Sequence, residues 1–161
     1  MKVISSVLLA IAMFFGIAPA ICEAEIPQEL PKIEYYGAYY SLSYNEFEAI
    51  CNAVMAEAEG ESFEGQQAVA QCILNTCEIK GIAPLEAITK YQYASTNRTP
   101  SDSVREAVTS VFTDGAKVID ERVTLFYSPA NMKNGISSYH ESQIYSCTIG
   151  GHKFFIEREN Y

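Results

Sequence analysis

The sequence predicts an α+β domain that is mainly helical and has a small antiparallel sheet in its C-terminal third. Between residues 44 and 113, apolar residues recur at helical spacing in segments that glycine, proline and capping residues separate. Two later segments, residues 123–127 and 153–156, are rich in β-branched and aromatic residues, which is typical of strands. Helices that come first and strands that follow indicate the α+β class.

Residues 1–24 are predicted to be a secretory signal peptide. Lys2 precedes an apolar run over residues 3–19, and small residues suited to cleavage follow it, ending at Ala24. A transmembrane anchor is the alternative, because the run is nearly long enough to span a bilayer. The signal peptide places the mature protein outside the cytoplasm, secreted or in the cell envelope, without stable membrane insertion after cleavage.

The remainder is predicted to consist of an extended N-terminal arm over residues 25–41 and one folded domain over residues 42–161. In the arm, prolines and a cluster of tyrosines leave no sustained helical or strand period. The domain begins with a helix over residues 44–59. Ser43 and Glu46 form a capping box at the start of this helix, which fixes where it begins.

Three further helices are predicted before the strands. The second begins in the acidic segment 61–64 and ends at Gly81. A short third helix spans residues 84–88, with proline in its first turn. The fourth spans residues 102–113, and Ser101 serves as its N-terminal cap.

Charge and cysteine content limit the partners and cofactors. The chain has 11 Lys and Arg against 20 Asp and Glu, a net charge of −9, so it lacks the basic stripe that binds a nucleic-acid backbone. We expect no nucleic-acid partner. No CxxC or HExxH motif occurs, and we predict no metal and no cofactor. The cysteines after the signal peptide can form two disulfides in three ways or lie buried as thiols: Cys51, Cys72, Cys77 and Cys147.

The candidate chemistry lies in an acidic turn at the end of the first predicted helix. Glu57 lies three residues after Val54 and seven after Ile50, so it shares a helix face with apolar residues and borders the buried stripe. A carboxyl group in such a position can serve as the general acid that protonates a leaving glycosidic oxygen. The alternative is a solvated acidic turn without a catalytic role.

A glycosidase usually has a second carboxylate, and the separation of the pair sets the stereochemical outcome. The spacing of the acidic residues singles out no partner for Glu57. Five residues are available for that role: Glu64, Asp102, Asp114, Asp120 and Glu141.

Three motifs resemble those of the SleB-type cell wall hydrolases, a family known chiefly from spore-cortex-lytic enzymes. Residues 53–75 read AVMAEAEGESFEGQQAVAQCILN and are similar to the family signature V-Y-A-E-A-R-G-E-x-x-E-G-Q-x-A-V-A-x-V-x-L-N-R. Residues 126–129, FYSP, resemble F-Y-N-P, and residues 150–155, GGHKFF, resemble G-N-H-x-F-Y. The motifs occur in the family order, and the resemblance covers residues 47–156.

The resemblance implies a lysozyme-like domain that cleaves the glycan strands of peptidoglycan, with Glu57 as the catalytic acid. Family members are regarded as lytic transglycosylases, in which one glutamic acid protonates the leaving oxygen. The resulting carboxylate then helps the muramoyl C6 hydroxyl attack the anomeric carbon. The product is a 1,6-anhydro sugar, so neither water nor a second carboxylate is needed.

The resemblance also assigns substrate-binding roles to positions outside the acidic turn. Gln66 and Asn75 match family positions on the second helix, where helix packing is the alternative role. Gln92 matches the turn that follows the third helix and can contact sugar hydroxyls. Tyr127 can do the same, with packing in the core as its alternative.

The sequence departs from the family pattern at several positions. Glu59 stands where a basic residue is usual, and Ser128 and Gly151 replace the asparagines of the two later motifs. Three hypotheses therefore remain open: a lytic transglycosylase, a muramidase that uses water, and a cell-wall-binding domain without catalytic activity. The substrate is either spore cortex, with a role in germination, or vegetative wall, and a regulatory protein partner is left open.

Overall fold

The computed structural model describes residues 39–132 and 134–160. The predicted signal peptide and most of the predicted arm lie outside these residues. Within them the order of helices and strands is α1 (Tyr44–Ala58), α2 (Phe63–Lys80), α3 (Pro84–Lys90), α4 (Asp102–Phe112), β1 (Val123–Tyr127), α5 (Ser138–Glu141), β2 (Ile144–Ile149) and β3 (His152–Ile156). The three strands form one antiparallel sheet near the C-terminus. The predicted α+β class is therefore confirmed.

Side-chain caps determine where α1, α2 and α4 begin. The Ser43 hydroxyl accepts a hydrogen bond from the Glu46 N–H (3.3 Å), and the Glu46 carboxylate accepts one from the Ser43 N–H (2.8 Å). Ser62 and Ser101 cap α2 and α4 through one hydrogen bond each. Helix α2 ends at Gly81, whose φ of 62° favours glycine. The capping box and the glycine stop that the sequence indicated are both present.

Helix α2 is the centre of the domain. Nearly all of its residues from 65 to 77 are buried, because α1, α3, α4 and β1 all pack against it. One of the buried polar side chains of α2, that of Gln71, makes three hydrogen bonds. Gln71 accepts from the Val118 N–H (2.6 Å) and the Ile119 N–H (2.9 Å) and donates to the Ile119 carbonyl (2.8 Å). This side chain ties the loop before β1 to the central helix.

The sheet has the strand order β1-β3-β2. Strands β1 and β3 correspond to the two predicted segments, whereas β2 and the short helix α5 were not predicted. The residues of β2 are half-buried or exposed, so the strand lacks the continuous apolar run that identified the other two.

A bulge in β1 determines which side chains face the candidate site. The register against β3 shifts between Val123 and Leu125. Val123 packs in the core that the helices share, whereas Leu125 and Tyr127 pack with Phe155 in a second, smaller cluster. Without the extra residue all three β1 side chains would lie on the same face. The bulge therefore directs Tyr127 away from the main core.

The four cysteines that the structure describes are free thiols; Cys51, Cys72 and Cys77 are buried, as in the second sequence alternative, whereas Cys147 is half-buried. Burial raises the pKa of the Cys51 and Cys72 thiols to about 12. Across the described part of the chain, every helix is too short or too polar to cross a bilayer.

Candidate active site

A pocket of about 400 Å³ lies between the C-terminal end of α1, the turn after α3, strand β1 and the segment that leads to α5. Side chains from both the helices and the sheet form its walls. The lining residues are Glu57, Tyr91, Gln92, Tyr93, Thr124, Leu125, Phe126, Tyr127, Ser128, Asn131, Met132 and His140. Among them Glu57 is the one carboxylate.

Glu57 lies in the last turn of α1 and is half-buried. Its Oε1 atom accepts a hydrogen bond from the Ala94 N–H at 2.6 Å. Since Ala94 belongs to the turn that follows α3, this bond holds the carboxyl group against the turn that carries Gln92. A backbone N–H can orient a carboxyl group in this way without itself exchanging a proton.

The two neighbouring glutamates of the acidic turn have other partners. Glu59 is exposed and forms an ion pair with Arg98. Glu61 accepts a hydrogen bond from the Gly151 N–H at 3.0 Å. The acidic turn therefore contributes one carboxyl group to the pocket, and the glutamate that stands in place of the family's basic residue is paired with an arginine.

Gln92 lines the pocket in an unusual backbone conformation. Its φ is 56°, and it is the one non-glycine residue with a positive φ among the residues that the structure describes. A non-glycine residue rarely adopts this left-handed conformation, and such residues cluster at ligand-binding sites. The conformation places Gln92 at the pocket wall between Tyr91 and Tyr93, which also line it.

Tyr127 lines the pocket, and its hydroxyl group is hydrogen-bonded to another side chain of the protein. The hydroxyl donates to the Glu141 carboxylate, which also accepts from Lys153 Nζ at 2.9 Å. The hydrogen bond to Glu141 raises the pKa of Tyr127, and the bond from Tyr127 lowers the pKa of Glu141. The Tyr127 ring stacks on Phe155, with ring centres 5.8 Å apart. The hydroxyl proton is thus already engaged within the protein.

Gln66 and Asn75 lie outside the pocket, although sequence resemblance assigned them to substrate binding. Gln66 is buried, and its Oε1 atom accepts from the Ser103 hydroxyl at 2.7 Å, which links α2 to α4. Asn75 is also buried and donates to the carbonyl oxygens of Asp120 (3.0 Å) and Val123 (2.9 Å). Both side chains hold elements of the fold together, and Asn75 fixes the start of β1.

None of the five other acidic residues considered as partners for Glu57 lines the pocket. Glu141 lies behind the wall and is bound to Tyr127 and Lys153. Asp120 forms an ion pair with Arg122 at 2.8 Å, and hydrogen bonds from Arg122 lower the pKa of Asp120 to about 2. Glu64, Asp102 and Asp114 are exposed.

The third family motif lies beside the pocket and contacts the acidic turn. Glu61 Oε1 is 3.4 Å from His152 Nδ1, within ion-pair distance but not aligned for a hydrogen bond, and that nitrogen is buried without a partner. A side chain at Gly150 would bring its Cβ to 1.8 Å from Glu61 Oε2, and one at Gly151 to 2.8 Å from Oε1. The two glycines therefore leave the space in which Glu61 sits.

The sequence indicated three of the lining residues as site residues, Glu57, Gln92 and Tyr127, and missed the others, among them Asn131, Met132 and His140. The last three belong to the connection between β1 and β2. This connection has no helical or strand period and no motif, so its residues gave no local signal. Within the described residues, no three His, Cys, Asp or Glu side chains lie close enough together to hold a metal ion.

Two solved structures are similar to this chain. One is the catalytic domain of the germination-specific lytic transglycosylase SleB from Bacillus anthracis, with 25% sequence identity, a TM-score of 0.55, and coverage of 71% of this chain and 96% of that one. The other is the catalytic domain of the SleB protein from Bacillus cereus, with 24% identity, a TM-score of 0.54, and coverage of 71% and 92%. No family model and no curated protein matches the chain. The predicted resemblance to SleB-type hydrolases is confirmed, and the fold is that of the SleB catalytic domain.

Proposed function

We propose that this protein is a secreted enzyme that cleaves the glycan strands of peptidoglycan, and that it acts as a lytic transglycosylase. The observation that carries the proposal is that Glu57 is the one carboxylate among the residues lining the pocket. A retaining or inverting glycosidase needs two carboxylates beside the scissile bond, whereas a transglycosylase needs one. The similarity to the SleB lytic transglycosylase domain supports a role in peptidoglycan lysis.

In the proposed reaction Glu57 acts first as an acid and then as a base. Its carboxyl group donates a proton to the glycosidic oxygen as the bond from that oxygen to the muramoyl C1 breaks. The muramoyl C6 hydroxyl then attacks C1, and the Glu57 carboxylate accepts the proton that this hydroxyl releases. A C1–O6 bond replaces the glycosidic bond, Glu57 regains its proton, and the product is a 1,6-anhydromuramoyl end.

Other residues of the pocket bind and orient the glycan in this proposal. Gln92 offers an amide at the pocket wall. Tyr127 also lines the pocket, but it is 4% exposed and its ring stacks on Phe155, so its part is to form the wall beside the glycan. The Ala94 N–H holds the Glu57 carboxyl group in position. For Gln66 and Asn75 we propose packing roles in place of the substrate-binding roles that the resemblance implied, because both are buried and hydrogen-bonded within the fold.

The proposal is tested by comparing Glu57→Gln with Glu59→Gln in the full-length protein. Glutamine keeps the shape of the side chain but cannot donate an acidic proton, so Glu57→Gln is expected to lower the release of soluble fragments by about 1,000-fold or more. Glu59→Gln makes the same chemical change two residues away, outside the pocket, and is expected to retain activity within about twofold. Purified spore cortex and vegetative peptidoglycan are both offered as substrates, since the chemistry of the pocket is compatible with either.

Activity retained by Glu57→Gln would refute the assignment of the catalytic acid. A wild-type protein that sediments with peptidoglycan but releases no fragments from either substrate would instead identify a cell-wall-binding domain. Equal loss in the Glu57 and Glu59 variants would point to a general effect of charge on the turn and would contradict the specific role of Glu57.

A further inference from the structure

His140 lines the same pocket as Glu57 but comes from a different part of the chain. Glu57 belongs to α1, whereas His140 belongs to α5 in the connection between β1 and β2. The sequence motifs do not include His140. The motifs therefore give no role to this half-buried imidazole.

Several contacts fix the His140 ring. Its Nδ1 atom makes a hydrogen bond with the Ser137 hydroxyl at 2.6 Å. The ring lies against Tyr127, with ring centres 5.2 Å apart, and near Phe155 at 6.0 Å. The edge of the ring meets Tyr139 at 5.4 Å. A side chain held by one hydrogen bond and three aromatic rings has little rotational freedom left to lose when a ligand binds.

The second ring nitrogen of His140 is available to a ligand. Among the residues that the structure describes, Nε2 has no hydrogen-bond partner, and it is not one of the buried polar atoms. Burial lowers the pKa of His140, and the nearby Glu141 carboxylate opposes this shift in part. A neutral imidazole has one donor and one acceptor nitrogen. Since Nδ1 is engaged with Ser137, Nε2 remains free to make one hydrogen bond in either tautomer.

The hydroxyl group of Tyr127, whose ring lies against His140, is less free to contact a ligand. The Tyr127 hydroxyl donates its proton to Glu141, and Lys153 holds that carboxylate from the other side. The Tyr127 hydroxyl therefore has no proton to offer a sugar. His140 adds a hydrogen-bonding group to a wall that also carries Ser128 and Asn131.

We propose that His140 is a further substrate-binding residue, whose Nε2 atom makes a hydrogen bond with a hydroxyl or N-acetyl group of the glycan bound beside Glu57. The inference rests on the proposed function, since that function supplies the glycan. Ser137 acts as a positioning residue, because its hydroxyl orients the ring. The aromatic contacts hold the ring in place. Mutations can therefore test the contribution of the ring and that of its Nε2 atom separately.

The test measures glycan binding to an inactive variant, so that the glycan is not cleaved during the titration. Full-length Glu57→Gln protein is titrated with peptide-free glycan strands solubilised from peptidoglycan, alone and in combination with substitutions at His140. His140→Phe keeps an aromatic ring against Tyr127 but removes both nitrogens, whereas His140→Gln keeps an amide near the position of Nε2. Tyr145→Phe, which changes an exposed side chain outside the pocket, is the matched control.

Loss of one ligand hydrogen bond is expected to raise the Kd of the His140→Phe combination about 3- to 10-fold, with a smaller increase for His140→Gln and none for Tyr145→Phe. The unfolding temperatures of the parent, the His140→Phe combination and the Tyr145→Phe combination should agree within about 3 °C, because these proteins keep an aromatic ring at position 140. The His140→Gln combination loses the ring packing and is expected to unfold at a lower temperature. Ser137→Ala in the same background should give an increase in Kd between those of the Gln and Phe variants, since the nitrogen remains but its orientation is lost.

The outcomes separate this inference from the proposed function. Equal affinity of the His140→Phe combination and its Glu57→Gln parent would overturn the role of His140 while leaving the role of Glu57 untouched. Weaker binding by His140→Phe together with a wild-type protein that cleaves no glycan would uphold the contact and refute the enzyme. Absence of glycan binding by the Glu57→Gln parent would overturn both.

Discussion

At the scale of single residues, the three glutamates of the acidic turn at the end of α1 have different surroundings. Glu57 faces the pocket, Glu59 pairs with Arg98, and Glu61 accepts a hydrogen bond from the turn between β2 and β3. A run of glutamates that looks uniform in sequence therefore contains one candidate acid, one surface ion pair and one link between distant segments. Periodicity alone identified Glu57, because its position on the apolar face of a helix is a local property.

The link made by Glu61 is expected to contribute to stability. Glu61→Ala removes the acceptor of the Gly151 N–H and the carboxylate beside His152, which should lower the free energy of unfolding by about 1–2 kcal/mol. Glu64→Ala changes an exposed glutamate in the first turn of α2 and serves as the control. Urea denaturation followed by circular dichroism measures both. Equal free energies of unfolding for Glu61→Ala and Glu64→Ala would show that the contacts of Glu61 do not stabilise the protein.

At the scale of elements, the helices are specified more locally than the sheet. Caps at Ser43, Ser62 and Ser101 and the glycine at 81 mark helix boundaries within a few residues, so these boundaries could be predicted. Strand β2 could not, because its pairing with β3 is a long-range contact and its own residues carry a weak pattern. The bulge in β1, which directs Tyr127 to the pocket, likewise depends on the partner strand.

An ion pair between two helices gives a pH-dependent prediction at this scale. Arg105 on α4 donates two hydrogen bonds to the Glu48 carboxylate on α1, at 2.6 and 2.9 Å, and these bonds lower the pKa of Glu48 below its ordinary value of 4.5. A carboxyl group with a lowered pKa in the folded state stabilises the protein above its unfolded pKa. That contribution is lost as the pH falls through the lowered folded value.

Glu48→Gln is therefore expected to lower the free energy of unfolding by about 1 kcal/mol at pH 7, after allowance for partial exposure of the pair. The difference from wild type should be constant above about pH 5.5 and should shrink below about pH 4. Denaturant unfolding between pH 3 and 7 measures the difference, with the exposed Glu106→Gln on α4 as control. A difference that stays constant down to pH 3 would contradict the assigned pKa direction.

At the scale of the whole molecule, the pocket joins segments that are distant in sequence. Glu57 comes from α1, Gln92 from the turn after α3, Tyr127 from β1 and His140 from α5. The sequence could indicate the first three, through helix periodicity or motif resemblance. It could not indicate that His140 lines the pocket or that Gln66 and Asn75 lie outside it, because these positions depend on how the elements pack and on which side chains the packing buries.

The packing of these segments around the pocket supports a reaction that uses one carboxylate. The acidic residues that could have acted with Glu57 are bound elsewhere or exposed to solvent outside the pocket. A second carboxylate is therefore missing from the lining residues. The expected reaction closes the 1,6-anhydro ring through the sugar's own hydroxyl and consumes no water.

The most direct test of this claim is mass spectrometry of the soluble fragments that the full-length wild-type protein releases from purified peptidoglycan. We expect fragments with 1,6-anhydromuramoyl ends, each lighter by one water molecule than the corresponding reducing end. We expect no such fragments from the Glu57→Gln variant. Fragments with reducing ends would contradict this reaction, because they would show that water, and not the sugar's own C6 hydroxyl, attacks C1.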